Sequence, residues 1–147
     1  GSERYILHHS NFSSLNIRIA QLSYRDLLDT ATGMVLLAAA PGKERERIYA
    51  QYRAENLPMF PELESFDALS SALERIRRER IYMRDKYRTL QWIAAVPVLK
   101  NGWTVAALGV SALAADASMP DRARMVEEIK KASQLISNEL STIETTG

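Results

Sequence analysis

Residues 81–116 read IYMRDKYRTLQWIAAVPVLKNGWTVAALGVSALAAD and contain the pattern that decides the fold. Two apolar runs rich in Val, Ile, Ala and Trp, from Trp92 to Leu99 and from Trp103 to Ala112, are separated by a turn that contains Asn101-Gly102. An Asn-Gly pair between two such runs is a strong signal for an antiparallel hairpin. Because neither run alternates apolar with polar residues, we expect both faces of this hairpin to be covered, one by helices and the other by something else.

One face of the second run has very little side-chain volume, since it carries Ala107, Gly109 and Ser111. This small-residue face predicts space for a small molecule. The length of the hairpin loop decides which residue of the first run lies opposite. A loop of two or four residues places Trp92 opposite Ser111 or Gly109, whereas a loop of three residues places Ile93 on that face. We favour the even-numbered loops, which direct Trp92 into the space.

Length and composition are typical of one ligand-binding module. The chain has 147 residues and is 46% hydrophobic, which suits a single core. Its net charge of +1 gives no electrostatic reason to bind DNA or a membrane surface. The absence of cysteine excludes disulfides, thiolate zinc sites and a Cys nucleophile. The apolar stretches are too short to span a bilayer and no signal peptide precedes them, so we expect a cytoplasmic protein.

The pattern along the chain predicts an α+β domain. Gly1-Ser2 has the form of an expression scar, and residues 3–147 are expected to form one domain. Residues 4–9 and 14–22 have strand composition. Helices are expected from Asp29 or Thr30 to Ala40, from Lys43 to Asn56, after the capping residue Ser65, and from Ser118 or Pro120 toward the C-terminus.

Four pieces of the sequence, in order, resemble the effector-binding domain of the isocitrate lyase regulator (IclR) family of bacterial transcription factors. Residues 27–38, LLDTATGMVLLA, look like the family's PLHATALGKALLA opening, and a charged helix follows. Residues 73–85, LERIRRERIYMRD, look like LExVRxxGYxxD. The hairpin, with WIAA, Gly102 and VAALGVS, looks like CIAA…G…VAALSVS without a gap. An amphipathic C-terminal helix completes the resemblance, which covers nearly the whole chain.

The resemblance implies a GAF-like antiparallel sheet with helices packed on it and one ligand cavity. It implies a sensor without enzymatic activity or a cofactor, which binds a small organic or aromatic acid. It also implies a homodimer or tetramer, and contact with DNA only through an N-terminal winged helix-turn-helix domain that this sequence does not contain. Two alternatives are an oligomerisation module with a collapsed pocket and, less favoured, a small enzyme.

The family's pocket carries over to residues at the start of the first helix, at the end of the strand before the hairpin and on the hairpin. A helix start offers free backbone N–H groups to a carboxylate, and a glycine there allows close approach to the ligand. The alternative for Asp85 is a capping or turn acid among basic neighbours, and Trp92 could be ordinary core. The expected ligand-binding residues are Ala31, Thr32, Gly33, Asp85, Trp92, Gly109 and Ser111.

This sequence departs from the family at four pocket positions. Met34 stands where the family has Lys, Leu28 where it has His, Trp92 where it has Cys, and Gly109 where it has Ser. The loop between Asp85 and Trp92 is also shorter than in the family. Because polar groups are lost, we expect a smaller or more apolar effector, such as an aromatic acid stacked on Trp92.

Other charged motifs give weaker signals. His8 and His9 are adjacent on a predicted strand and point to opposite faces, so no metal site is expected there. The run at 44–47 is typical of a solvated helix face with local ion pairs. The arginines of residues 77–80 are typical of a solvated helix end, with nucleic-acid contact as the alternative. We find no Ser/His/Asp set, paired catalytic acids or phosphate-binding glycine loop.

Overall fold

The structure is a computed structural model that describes residues 16–20 and 24–145. Within these residues, one antiparallel sheet has the strand order β1-β4-β3-β2. The strands are β1 (Asn16–Ala20), β2 (Tyr82–Lys86), β3 (Gln91–Lys100) and β4 (Trp103–Leu113). The predicted strand at 4–9 and the His8-His9 pair lie outside the described residues.

Helices cover both faces of the sheet. They are α1 (Ala31–Ala38), α2 (Gly42–Glu55), α3 (Phe66–Glu79) and α4 (Met119–Thr145). The expectation that both faces are covered is confirmed, but the expectation that something other than helices covers the second face is wrong, because α4 packs there. Thr30 and Ser65 cap α1 and α3, because their hydroxyl oxygens accept hydrogen bonds from backbone N–H groups of the first turn. The α+β prediction is therefore confirmed.

The hairpin turn has two residues, Asn101 and Gly102, both with positive φ, so the prediction of an even-numbered loop is correct. A β-bulge nevertheless follows at once: Leu99 pairs with Thr104 while Val98 pairs with Ala106. This extra residue in β4 shifts the pairing by one and exchanges the two faces of β3 relative to β4. Trp92 consequently pairs with Ala112, and Ile93 pairs with Ser111.

Two hydrophobic clusters lie on opposite sides of the sheet. On the side that we call the α1 face, the helices α1, α2 and α3 pack on small residues that include Ala95 and Ala107. On the other side, the α4 face, α4 packs on larger residues that include Trp92, Leu108 and Val110. The sheet therefore separates a face with little side-chain volume from a face with an ordinary core.

One charged residue departs from the predicted solvated helix face. Arg45 of α2 is buried, with 6% of its surface exposed. Its guanidinium donates hydrogen bonds to the carbonyls of Ala38 and Ala40 and to Glu74 of α3. Arg45 thus satisfies carbonyl groups at the C-terminal end of α1, which otherwise lack partners, and ties three helices together. Arg47 does form the expected local ion pair with Glu44.

Among the described residues, no helix is long and apolar enough to cross a membrane.

Candidate functional site

The helix α1 runs along the strands on the α1 face. Near its start, Thr32 lies against Gly109: a Cβ atom added to Gly109 would come within 2.7 Å of the Thr32 side-chain methyl. At its other end, Val35 and Ala38 lie near Pro97 and Thr104, beside the hairpin turn. The N-terminal end of α1 is therefore directed away from the hairpin turn, toward Ser111 and the end of β4.

The first turn of α1 presents backbone donors in this direction. Thr30 Oγ1 accepts a hydrogen bond of 3.0 Å from Gly33 N, and the carbonyl of Thr30 accepts one from Met34 N. The N–H groups of Ala31 and Thr32 come earlier in the helix and have no carbonyl partner inside it. Together with the helix dipole, such groups favour a bound anion such as a carboxylate.

Gly33 has a different role from the one that the sequence predicts. A Cβ atom at this position would lie 2.4 Å from the carbonyl oxygen of Leu27 and 2.6 Å from that of Asp26. The missing side chain therefore makes room for the chain's own backbone just before α1, and the prediction that it allows close approach of a ligand is wrong. Gly33 thus allows the first turn of α1 to pack closely on the segment that precedes it.

Gly109 is also not open to an empty space. The Thr32 methyl group fills the position above it, so the predicted void over Gly109 is wrong. Ser111 is half-buried on the α1 face, and it pairs with Ile93 of β3.

Lys86 completes this end of the α1 face and was missed in the sequence. Residues 82, 84 and 86 of β2 alternate onto the α1 face, because Tyr82 packs on the cluster beneath α1. The Lys86 ammonium donates a hydrogen bond of 2.9 Å to the carbonyl of Asp29 and lies 3.7 Å from its carboxylate. It therefore lies beside the segment that leads into the first turn of α1. The sequence could have indicated Lys86, because it follows Asp85 directly and therefore faces the opposite side of β2.

Tyr82 and Arg84 form the neighbouring wall on the same face. The rings of Tyr82 and Phe60 pack together, with their centroids 5.8 Å apart. Burial raises the pKa of the Tyr82 phenol well above its ordinary value. The Arg84 guanidinium lies over Phe60 at 4.2 Å and forms an ion pair with Glu62. Desolvation is the main cause that lowers the pKa of Arg84. Both side chains hold the 57–64 connection against the sheet.

Asp85 and Trp92 lie on the opposite side of the sheet from the other predicted site residues. They pair with each other across β2 and β3, and Trp92 is buried in the α4-face cluster with 3% of its surface exposed. The carboxylate of Asp85 lies 3.2 Å from the guanidinium of Arg122 of α4, which also lies 5.7 Å from the Trp92 ring. The prediction that Trp92 faces Gly109 is wrong, because the bulge after Val98 reverses the facing of β3.

The structure therefore brings together five of the seven predicted residues at the start of α1 and on the facing strand: Ala31, Thr32, Gly33, Gly109 and Ser111. Asp85 joins Trp92 and Arg122 in an ion-paired cluster that ties α4 to the sheet. Within residues 16–20 and 24–145, no three His, Asp or Glu side chains are close enough to hold a metal ion.

Comparisons with known proteins agree on the fold. No protein-family model and no curated protein matches the sequence. Solved structures do match. A transcriptional regulator from a Rhodococcus species is 26% identical with a TM-score of 0.64, and the match covers 83% of this chain and 49% of that one. The C-terminal domain of the E. coli transcriptional regulator KdgR is 25% identical with a TM-score of 0.62, and the match covers 78% of this chain and 71% of that domain.

A further match is the structure of an IclR homolog from Microbacterium hydrocarbonoxydans complexed with 4-hydroxybenzoate. It is 23% identical with a TM-score of 0.63, and the match covers 79% of this chain and 46% of that one. The chain thus spans about half the length of the longer regulators that it matches. All three are described as transcriptional regulators or IclR homologs, and one of them is the C-terminal domain of a regulator, in agreement with the resemblance of the sequence motifs. The chain therefore has the fold of the C-terminal domain of IclR-family transcription regulators.

Proposed function

We propose that this domain is the ligand-sensing part of an IclR-type transcription regulator and that it binds a small organic acid at the start of α1. The carboxylate would accept hydrogen bonds from the N–H groups of Ala31 and Thr32. The apolar part of the acid would lie on Ile93 and beside Ser111. Lys86 would supply a nearby positive charge. The observation that carries this proposal is the position of the capped start of α1, which is directed along a face of small residues toward a lysine.

An aromatic acid is the first compound to test. One structure with this fold is described as complexed with 4-hydroxybenzoate. The stacking on Trp92 that the sequence suggested is not part of the proposal, because Trp92 is buried on the α4 face. Selectivity for an acid would instead come from the backbone N–H groups and Lys86, with the hydrophobic contribution from Ile93.

The consequence of binding would be transmitted to a DNA-binding domain elsewhere in a longer protein. A ligand shifts a conformational equilibrium only by its differential affinity for the two states. The start of α1 is held by a Thr30 cap and by Lys86, so a bound anion would compete for or add to these contacts and change how α1 lies on the sheet. We expect the domain by itself not to bind duplex DNA specifically, since its net charge is +1.

Thermal unfolding with and without 4-hydroxybenzoate tests the proposal. A ligand at one hundred times its Kd stabilises the folded state by about 2.7 kcal/mol, which raises Tm by several degrees. The matched control is 4-hydroxybenzamide, which has the same ring and no negative charge. A series of small aliphatic and aromatic carboxylates extends the test. If no acid raises Tm more than its amide, the proposed carboxylate site is wrong.

A second candidate is an oligomerisation module with a collapsed pocket. The contact of Thr32 with Gly109 favours it, because this contact removes volume from the small-residue face. The exposed Leu135 of α4, at 66% exposure, offers apolar surface for self-association. Light scattering at tens of micromolar, a range set by ordinary interface affinities, measures the assembly. An oligomer whose Tm does not respond to any acid supports this candidate over the sensor.

A further inference from the structure

A groove of about 200 Å³ lies at the far end of α1 from the proposed effector site. It is formed by the C-terminal ends of α1 and α3 and by the hairpin turn between β3 and β4. Its floor is apolar, since Val35 and Ile76 are buried and Pro97 is half-buried. Its rim carries three exposed residues, Arg77, Arg80 and Trp103. We call it the Trp103 groove.

The two arginines make the rim positive. Among the described residues, Arg77 forms an ion pair with Glu74 at 3.7 Å, and both of these side chains are more than half exposed. For Arg80, the structure gives no hydrogen bond or ion pair of the side chain within the part of the chain that it describes. Arg80 also ends α3 with a φ of 58°, in the left-handed region where glycine or asparagine is usual.

Trp103 adds a large apolar surface to this positive rim. It is the first residue of β4 and has 78% of its surface exposed, although tryptophan is usually well buried in soluble domains. Tryptophan and arginine are enriched among the few residues that contribute most of the binding energy of protein interfaces. A ring next to two guanidinium groups suits a partner that has an apolar group beside a carboxylate.

We propose that the Trp103 groove docks an acidic segment of a partner protein. An apolar side chain of that segment would lie on Val35, Ile76 and the Trp103 ring, and a neighbouring Asp or Glu would pair with Arg77 and Arg80. The groove is smaller than the 300–1,000 Å³ usual for small-molecule sites and is exposed along its rim, so it suits one or two protruding side chains of a peptide.

This proposal does not rest on the effector site. With both sites occupied, the eight-residue helix α1 would contact the effector at its N-terminal end and the partner at its C-terminal end. A partner bound at Ala38 and Ala39 and an acid bound at Ala31 and Thr32 would then act on the same rigid element.

The test uses the whole chain and the blocked peptide acetyl-Glu-Leu-Phe-Glu-Asp-amide. The chain has two tryptophans, and Trp92 is buried, so acrylamide quenching of the emission reports mainly on Trp103. We expect the peptide to protect Trp103 from quenching with a Kd below about 1 mM. The same peptide with Gln and Asn in place of the acids is the matched control, and it should bind at least about tenfold more weakly.

Two arginine variants locate the binding. Arg80→Gly should leave Tm unchanged or higher, because glycine suits the positive φ, while it weakens peptide binding by about fivefold or more. Arg78→Gln is the control, since Arg78 is an exposed arginine of the same helix end that does not line the groove. Equal effects of the two substitutions would assign the binding to general charge and overturn the proposal.

Three other outcomes also overturn it. No protection of Trp103 up to several millimolar peptide would remove the docking site. Protection that grows with protein concentration in the absence of peptide would assign the groove to a second copy of the chain. Tighter protection by a single-stranded oligonucleotide than by the peptide would assign it to nucleic acid.

Discussion

The two faces of the sheet are held to their helices in different ways. On the α4 face, three serines of α4 spaced four residues apart form directional hydrogen bonds with β3 and the hairpin turn. Ser133 donates to the carbonyl of Pro97, and Ser137 and Ser141 accept from the N–H groups of Leu99 and Asn101. On the α1 face, α1 packs by close fit of small groups, such as Thr32 on Gly109.

This difference separates a fixed side of the domain from an adjustable one. The serines of α4 satisfy an edge of β3 that β2 does not cover, because the pairing of β2 with β3 ends at Tyr82 and Ala95. Directional bonds to an otherwise open edge fix the position of α4 along the strand.

The hydrogen bonds that hold α1 lie at its two ends, where Lys86 of β2 donates to the carbonyl of Asp29 and Arg45 of α2 donates to that of Ala38. Between these ends α1 rests on the strands through contacts of small groups, so we expect a ligand to change its position more easily than that of α4. The α1 face is accordingly the side on which we place the effector site.

The largest expected effect comes from removing an anchor of the fixed side. Trp92→Ala deletes a buried ring and leaves Arg122 without its aromatic contact, so the free energy of unfolding should fall by about 3–5 kcal/mol. Trp103→Ala is the matched control: this ring is 78% exposed, and the cost should stay below about 1 kcal/mol. Urea unfolding followed by circular dichroism measures both. If the two substitutions lowered the free energy of unfolding by similar amounts, the assignment of Trp92 to the core would be contradicted.

The sequence predicted the hairpin and its turn but not which way β3 faces. Asn101-Gly102 determines a two-residue turn through the positive φ of both residues, and this could be derived in advance. The bulge could not, because Val105, the extra residue of β4, lies in an apolar run without a local sequence signal that marks it as unpaired. Helix starts were predictable at Thr30 and Ser65, since capping is a local interaction.

The expected site residues came from the family resemblance, and the structure keeps on one face only those that do not depend on the register of β2 and β3. Residues 31–33 lie at a helix start, and Gly109 and Ser111 share one face of β4. Assigning Asp85 and Trp92 to the same site required the register of three strands, and an error of one residue moved both to the other face. Lys86 was missed for the same reason.

The second prediction concerns the closest contact of the adjustable side. Gly109→Ala places a methyl group 2.7 Å from the Thr32 methyl, which should destabilise the domain by about 1–3 kcal/mol. Thr32→Ser removes the conflicting methyl group, so the double variant Thr32→Ser/Gly109→Ala should recover most of the lost stability. A double-mutant cycle measured by thermal unfolding tests this. Additive effects of the two substitutions would show that Thr32 does not pack on Gly109.

The third prediction compares the caps of two helices. Thr30→Ala and Ser65→Ala each remove a hydroxyl that accepts a backbone N–H hydrogen bond, and each should lower stability by about 1 kcal/mol. Only Thr30→Ala should also weaken binding of an acid that raises Tm, because it disorders the N–H groups at the start of α1. Calorimetric titration of both variants measures this. An equal loss of affinity would indicate a general effect of lower stability.

The smallest expected change in stability comes from two adjacent residues of β2 that face opposite sides of the sheet. Asp85→Asn weakens the contact with Arg122 of α4, and Lys86→Gln weakens the contact with Asp29 before α1. Both ion pairs are partly exposed, so each substitution should cost less than about 1 kcal/mol.

Their effects on ligand affinity should differ, because only Lys86 lies on the α1 face. Lys86→Gln removes the positive charge beside the start of α1 and should weaken binding of an acid by about three- to tenfold at low salt, with a smaller effect at high salt. Asp85→Asn keeps that side unchanged, so calorimetry should give an affinity within about twofold of the original. The reverse result, with Asp85→Asn as the damaging change, would place the ligand on the α4 face beside Trp92 and Arg122. In that case the adjustable side would be the one that carries α4, despite its serine hydrogen bonds.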